Sequence, residues 1–299
     1  MVSGPVETTL RAHPVVPAGR LTDVRIAVLG PGGVGGLLAA LLSHAGHDVV
    51  VLARPQTAEH IGAHGLHLTS PRYGEVTAHP RAAERLDQPV EACIVAVKAT
   101  QLDDALERVP AGTLGDAVLL PLLNGFEHMG VLRERYPAAR VVAGAIRVVA
   151  SRTAPGEIRH EGDLAAVQLT PDAGALAGAL EDAGLDVTVR DDEPGLLWDK
   201  LCFLGPVALM TTHAMAPLGE VREQRGDELR AVMEEVAAVA RAEGARANAG
   251  VVWRFTQDVP AASSRNCAPA WADPLLGPRE RPEKRVSPGG RAVPRRCGG

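Results

Sequence analysis

Between Asp23 and Val149 the chain alternates short, nearly unbroken apolar runs with stretches whose apolar residues return every three or four positions. VRIAVLG (24–30) reads as a buried strand, and GGLLAALLSHAG (35–46) as a helix closed by Gly46. HDVVVLAR (47–54) and EACIVAVKA (91–99) read as further strands, with QLDDALERV (101–109) helical after them. DAVLLPLLNG (116–125) is a strand running into a loop, and RVVAGAIRVVA (140–150) another strand. Strands separated by crossover helices predict an α/β fold with a Rossmann-like, doubly wound parallel sheet.

After that the pattern changes. PGEIRHEGDLAAVQL (155–169) reads as extended chain with a turn at Gly162-Asp163. PDAGALAGALEDAG (171–184) reads as a helix and LDVTVRDD (185–192) as a short strand. From Glu193 onward the spacing is helical over two long runs, so a mostly helical second domain is expected. Pro206 within the first run cannot donate to the carbonyl of Cys202, and a kink is expected there.

Composition narrows the class. Of 299 residues 46% are apolar but only 3% aromatic, a mix suited to helices and buried parallel strands. The formal charge of −5 gives no footprint for nucleic acid or a membrane surface. Cys93, Cys202, Cys267 and Cys297 form no metal-ligand spacing, and no metal is expected. Buried, reduced thiols suit a cytoplasmic setting. No run approaches a membrane span.

The ends stand apart. Residues 1–22 contain no apolar core of a secretory signal and read as a flexible N-terminal extension. Residues 269–299 are dense in Arg, Pro and Gly without periodicity and are expected to be disordered. The expected domains are 23–192 for nucleotide binding and 193–268 for substrate and catalysis.

GPGGVG (30–35) follows a strand and opens a helix, the setting in which glycines bring a dinucleotide's phosphates to a helix N-terminus. Gly30 allows the turn, Gly32 admits the pyrophosphate, and Gly35 lets helix and strand pack closely. Gly33 and Val34 carry the first-turn amides. Arg54 stands at the end of the second strand, where an NAD enzyme usually has an acid. A guanidinium there suits the 2′-phosphate of NADP. Lys98 and Asn124 end two further strands at the edge where such sheets bind ligands.

Lys200 opens the apolar stretch KLCFLGPVALM (200–210). It reads either as a boundary lysine lying along the core with its ammonium in water, or as a lysine held in a cleft so that its proton can be used.

GPGGVGG, Arg54, VKATQ (97–101), LLNG (122–125), APGEIRHEG (154–162) and WDKL (198–201), in that order, resemble the ketopantoate reductase family over roughly residues 23–262. The resemblance implies NADPH-dependent reduction of ketopantoate to pantoate in pantothenate synthesis, with Lys200 as general acid. It implies cofactor contacts at Gly30, Gly32, Gly35, Arg54, Lys98 and Asn124. The partner implied is a small 2-oxo acid, and a homodimer is compatible with exposed apolar surface in the second half.

Two departures from the family pattern bear on substrate. Where the family carries asparagines four and eight residues after the lysine, this chain has Leu204 and Ala208. Beyond Ser263 and Ser264 the register with the family ends, and the glutamate its later helices supply has no counterpart. A reading-frame change near residues 262–268 is the expected origin. A paralogue acting on a more apolar carbonyl, and a non-catalytic NADP-binding or decayed copy, remain open alternatives.

Overall fold

The computed structural model describes residues 23–258; the expectations for residues 1–22, for the segment after Asp258 and for the tail lie outside the described residues. The first half runs β1 (Arg25–Leu29), α1 (Gly33–His44), β2 (Asp48–Leu52), α2 (Pro55–His64), β3 (Leu66–Ser70), β4 (Gly74–Ala78) and β5 (Arg81–Ala83). Then come β6 (Ala92–Val95), α3 (Leu102–Leu106), α4 (Ala111–Leu114), β7 (Val118–Pro121), α5 (His128–Arg135) and β8 (Arg140–Val141). The rest comprises β9 (Gly144–Ala154), β10 (Glu157–Leu169), α6 (Ala175–Asp182), β11 (Asp186–Val189), α7 (Glu193–Ala214), α8 (Leu218–Ala242) and α9 (Ala249–Asp258).

Six strands form a parallel sheet in the order β5-β2-β1-β6-β7-β8. The chain moves outward from β1 in one direction, then returns to the other side at β6, which puts the topological switch point between β1 and β6. Alternation within β1 explains its unbroken apolar run. Ile26 and Val28 enter the cluster on the α1 side, while Ala27 and Leu29 enter the cluster beneath α3 and α4.

A second sheet, which the sequence pattern did not indicate, stands beside the parallel one. β3, β4, β9, β10 and β11 form a second sheet, in which β10 pairs antiparallel with β9 and parallel with β3 and β11. α1 lies between the sheets, and Gly35 through Leu42 are all buried, as an all-apolar helix demands. A Cβ on Gly36 would stand 2.4 Å from Ile158 of the second sheet. The strand expected over 140–150 is therefore divided. β8 ends the first sheet, the chain crosses at Val142–Ala143, and β9 joins the second. Thr170 holds the crossing, its hydroxyl accepting from the amide of Ala143 and its amide donating to Ala143's carbonyl.

Gly162-Asp163 is a bulge rather than a turn. β10 continues through it, with the register shifting between His160 and Ala165 and Gly162 at φ +73. The buried His160 spans the irregularity: Nε2 donates to the carbonyl of Leu164, and Nδ1 accepts from the Ser70 hydroxyl.

α7 runs as one helix through Pro206, where the sequence pattern predicts a kink. The sharp change of direction, about 100°, comes between α7 and α8, where Met215 adopts a left-handed φ of 50°. Trp198, Cys202, Val207 and Met210 of α7 pack on Leu229, Met233 and Ala237 of α8 in a separate helical core. α9, which the sequence pattern did not flag, closes that core. No single helix among the described residues is long and apolar enough to cross a membrane.

Candidate active site

The carboxyl ends of β1, β2, β6 and β7 are tied into one edge. Gly30 donates to Leu52, Ala96 to Leu29, and Leu122 to Val95. Three sequence-predicted segments emerge from this edge: the turn Gly30–Gly32, the turn beginning at Lys98, and the loop carrying Asn124.

The glycines of the first turn differ in what requires them. Gly30 has φ +91, and a Cβ on it would meet Val97 at 2.5 Å. A Cβ on Gly33 would stand 2.2 Å from the carbonyl of Ala150 in β9, and one on Gly35 2.1 Å from the carbonyl of Gly30. Gly32 is unlike these. It has φ −79, and a Cβ there would meet nothing within 4 Å. Neither backbone strain nor a protein neighbour requires glycine at that position. The space in front of it, at the N-terminus of α1 where no side chain caps the helix, leaves room for a group to approach the backbone closely.

Arg54 ends the β2 segment, N-caps α2 and is exposed. Among the described residues no ion pair or side-chain hydrogen bond engages its guanidinium. Lys98 is exposed at the N-cap of a short 3-10 turn after β6.

Lys200 and Asn124 meet in one cleft. α7 contributes Leu197, Lys200, Leu201 and Leu204, a single helical face by their spacing. The loop after β7 contributes Asn124 and Gly125, and β9 contributes Gly144 and Ala145. Trp198 points the other way and packs against Phe126, ring centroids 4.9 Å apart. The neighbouring Asp199 is drawn off by Arg190 at 2.7 Å, and among the described residues no carboxylate lines the cleft.

Burial first, and the positive charge of Arg147 on β9 second, together lower the pKa of the Lys200 ammonium to about 8. The buried ring of His128, at the start of α5, is also held below its usual range, first by desolvation, with Lys200 adding to it. A lysine whose cation is disfavoured gives up its proton more readily than a solvated one. Arg147 and His128 were not nominated from the sequence. A single charge inside the apolar run AGAIRVVA was the available signal for Arg147, whereas nothing in sequence marked His128 as Lys200's neighbour.

A parallel sheet in this order, with a glycine turn after its first strand, defines a Rossmann-like dinucleotide-binding fold. The chain belongs to the ketopantoate reductase family, a family of oxidoreductases. The model of ketopantoate reductase PanE/ApbA matches residues 26–172. A 2-dehydropantoate 2-reductase of Mycobacterium tuberculosis is 32% identical over 230 residues, spanning 76% of this chain and 76% of the relative. An uncharacterized oxidoreductase of Bacillus subtilis is 28% identical over 236 residues, 75% of this chain and 77% of the relative. The crystal structure of a PanE/ApbA family ketopantoate reductase from Ralstonia eutropha matches with a TM-score of 0.70 at 30% identity, covering 78% of this chain and 80% of that one. A D-mandelate dehydrogenase with NADH and anilino(oxo)acetate also reaches 0.70, covering 78% and 79% at 22% identity, a likeness of fold alone.

Proposed function

We propose that this protein reduces a 2-oxo acid with NADPH, ketopantoate being the first candidate, and that Lys200 is the general acid. The observation that carries the reading is the shared cleft of Lys200 and Asn124 at the carboxyl edge of the parallel sheet. Residues 23–192 would hold the nucleotide and 193–268 would supply the catalytic helix.

NADPH, when bound, supplies hydride to the carbonyl carbon. The chain's own residues deal with the oxygen. Negative charge grows there as the carbonyl is reduced, and the Lys200 ammonium stabilises it and then donates a proton. Its partial burial suits both tasks, because a charge in a water-poor cleft acts more strongly. Asn124 offers an amide that can orient the nicotinamide or accept and donate to the substrate.

The nucleotide half is supported by the open space at Gly32, with the first-turn amides of Gly33, Val34 and Gly35 at the α1 N-terminus. Arg54 supports NADPH over NADH: an exposed guanidinium at the end of β2 can fork onto a 2′-phosphate. Lys98 sits on the same edge and would reach the nucleotide from β6. The free, buried Cys93 and Cys202 support a reducing compartment such as the cytoplasm.

A second reading rests on Leu197, Leu201 and Leu204, which make the α7 side of the cleft apolar. It assigns the same chemistry to a 2-oxo acid with an apolar substituent. Consumption of NADPH with ketopantoate and with a series of 2-oxo acids, NADH serving as control, tests both. Turnover that prefers NADPH and collapses in Lys200→Ala supports reductase chemistry, and the preferred substrate chooses between the readings. Nucleotide binding without turnover of any 2-oxo acid would leave a non-catalytic NADP-binding protein.

A further inference from the structure

Arg147 is a charged residue in the middle of a strand whose neighbours are apolar, and its placement follows from the pleat. Ile146, Val148 and Ala150 pack toward α1 with the main core. Ala143 and Ala145 face the opposite way, against Leu196 and Leu197 of α7, and Ala145 lines the cleft with Lys200. Alternation along β9 puts the Arg147 side chain on the Ala145 face, one pleat further along. Three residues on, the carbonyl of Ala150 abuts Gly33 in the nucleotide turn. Arg147 therefore stands between the Lys200 cleft and the dinucleotide loop, on the wall facing α7.

Its surroundings give it no structural partner. Arg147 is half-buried, and among the described residues no carboxylate pairs with it. The residues lining the adjoining cleft include no acid, and the nearest acid on α7, Asp199, is held by Arg190. Arg147 is close enough for its charge to act on the Lys200 ammonium. One cation in the cleft and a second beside it on the Ala145 face of β9, neither paired with a carboxylate among the described residues, define a site for an anion.

The geometry points to Arg147 as the residue that anchors the carboxylate of the 2-oxo acid, leaving Lys200 for the adjacent carbonyl oxygen. This rests on the reductase reading above and adds what holds the acid end of the substrate. A planar guanidinium takes a carboxylate through two parallel N–H donors, which fixes the orientation of the neighbouring ketone as well as its distance. Leu204 and Ala208 offer no such donors from α7. Selection for the acid comes from β9 instead.

The test compares the intact protein with Arg147→Met and Arg147→Lys. KM and kcat are measured for the preferred 2-oxo acid and for its uncharged ester. Binding of oxamate and of neutral oxamide to the NADPH-loaded protein is measured by calorimetry, and NADPH affinity by fluorescence. Losing a charge-assisted bidentate contact should raise KM for the acid about 100-fold while kcat falls much less. The ester's KM and the NADPH affinity should stay within about twofold, and Arg147→Lys should recover part of the loss. Oxamate binding should weaken with the acid's KM, and oxamide binding should not change.

An equal loss for acid and ester, or weakened NADPH binding with an unchanged acid-to-ester ratio, overturns the assignment. The oxamate arm stands apart from turnover. If the wild-type protein binds NADPH but reduces nothing, the reductase reading fails while oxamate still decides Arg147. Wild-type protein that binds no oxamate, or Arg147→Met that binds it undiminished, refutes the anchor. Arg147→Lys, with matched thermal unfolding, guards against a variant that has merely lost its fold.

Discussion

A Cβ placed on Gly35 would stand 2.1 Å from the carbonyl oxygen of Gly30. Helix α1 and the turn that precedes it thus touch backbone to backbone, and neither side has a flexible end to yield. Gly35→Ala should destabilise the protein by ~1–3 kcal/mol through overpacking, seen as a lower denaturant midpoint. Gly32→Ala tests the opposite case. Its Cβ meets open space at an ordinary φ, so the midpoint should stay within about 0.5 kcal/mol of wild type. NADPH affinity should nevertheless fall about tenfold or more, because the added methyl stands where the phosphates approach. Fluorescence titration beside denaturant unfolding separates the two effects.

Lys200 predicts two pH dependences of opposite sense. With Lys200 as the proposed general acid, reduction needs the ammonium, so the rate should decline as pH rises through about 8. Lys200→Ala should lower kcat by roughly 10²–10⁴-fold and remove that limb of the profile. Stability moves the other way. A lysine whose pKa is lowered on folding binds fewer protons folded than unfolded between about 8 and 10.5, so unfolding free energy rises with pH across that window. Below it the buried cation is a fixed cost. Lys200→Met should therefore be more stable than wild type at neutral pH, by about 2 kcal/mol after allowance for water at the cleft mouth. That advantage should shrink to nothing above the lysine's unfolded pKa. Denaturant midpoints at neutral and strongly alkaline pH check the sign.

How far the sequence spoke depended on how local the cause was. Gly30, Gly32 and Gly35 were legible because a strand, a turn and a helix N-terminus lie within a dozen residues. α7 was legible from its periodicity, whereas the place of Lys200 at the start of an apolar stretch left two readings open and only the family resemblance chose between them. The second sheet was not legible. β9 begins with the same kind of apolar run as a parallel strand, and nothing local says that β8 and β9 belong to different sheets. The division depends on Thr170, which reaches Ala143 from the far end of β10. β3 and β4 were missed because GLHLTSPRYGEVTA mixes apolar and polar residues as a half-exposed hairpin does. Arg147 became a candidate only when pairing of β9 with β10 fixed which face its side chain takes.

Arg54 should govern the choice of nucleotide. Its guanidinium has no partner among the described residues, so replacing it removes no internal contact. Arg54→Ala should weaken NADPH binding by about 10- to 100-fold, the value of charge-assisted hydrogen bonds to a phosphate, and leave NADH nearly unchanged. Thermal unfolding without nucleotide should not move. Equal losses for the two nucleotides would place the 2′-phosphate elsewhere. The salt dependence of the NADPH affinity should also flatten in the variant, since one of its screened contacts has gone.

Leu204 lies on the α7 face that carries Leu197, Lys200 and Leu201 into the cleft, and Ala208 follows it by one helical turn. The family resemblance implies asparagines at both positions, so on the proposed reading the wall that meets the substrate is apolar here rather than polar. Ketopantoate brings a hydroxyl that such a wall leaves unpaired, at a cost of ~1–3 kcal/mol. A 2-oxo acid with a branched apolar substituent brings no such group and gains burial against Leu204 instead. Wild-type protein should therefore favour the apolar substrate in kcat/KM. Leu204→Asn with Ala208→Asn should reverse the order, lowering KM for ketopantoate by about tenfold and raising it for the apolar acid. Both positions are only half-buried, so the double variant should keep its unfolding midpoint within about 1 kcal/mol of wild type. A preference that does not move with these two residues would place the substrate's far end away from the α7 wall.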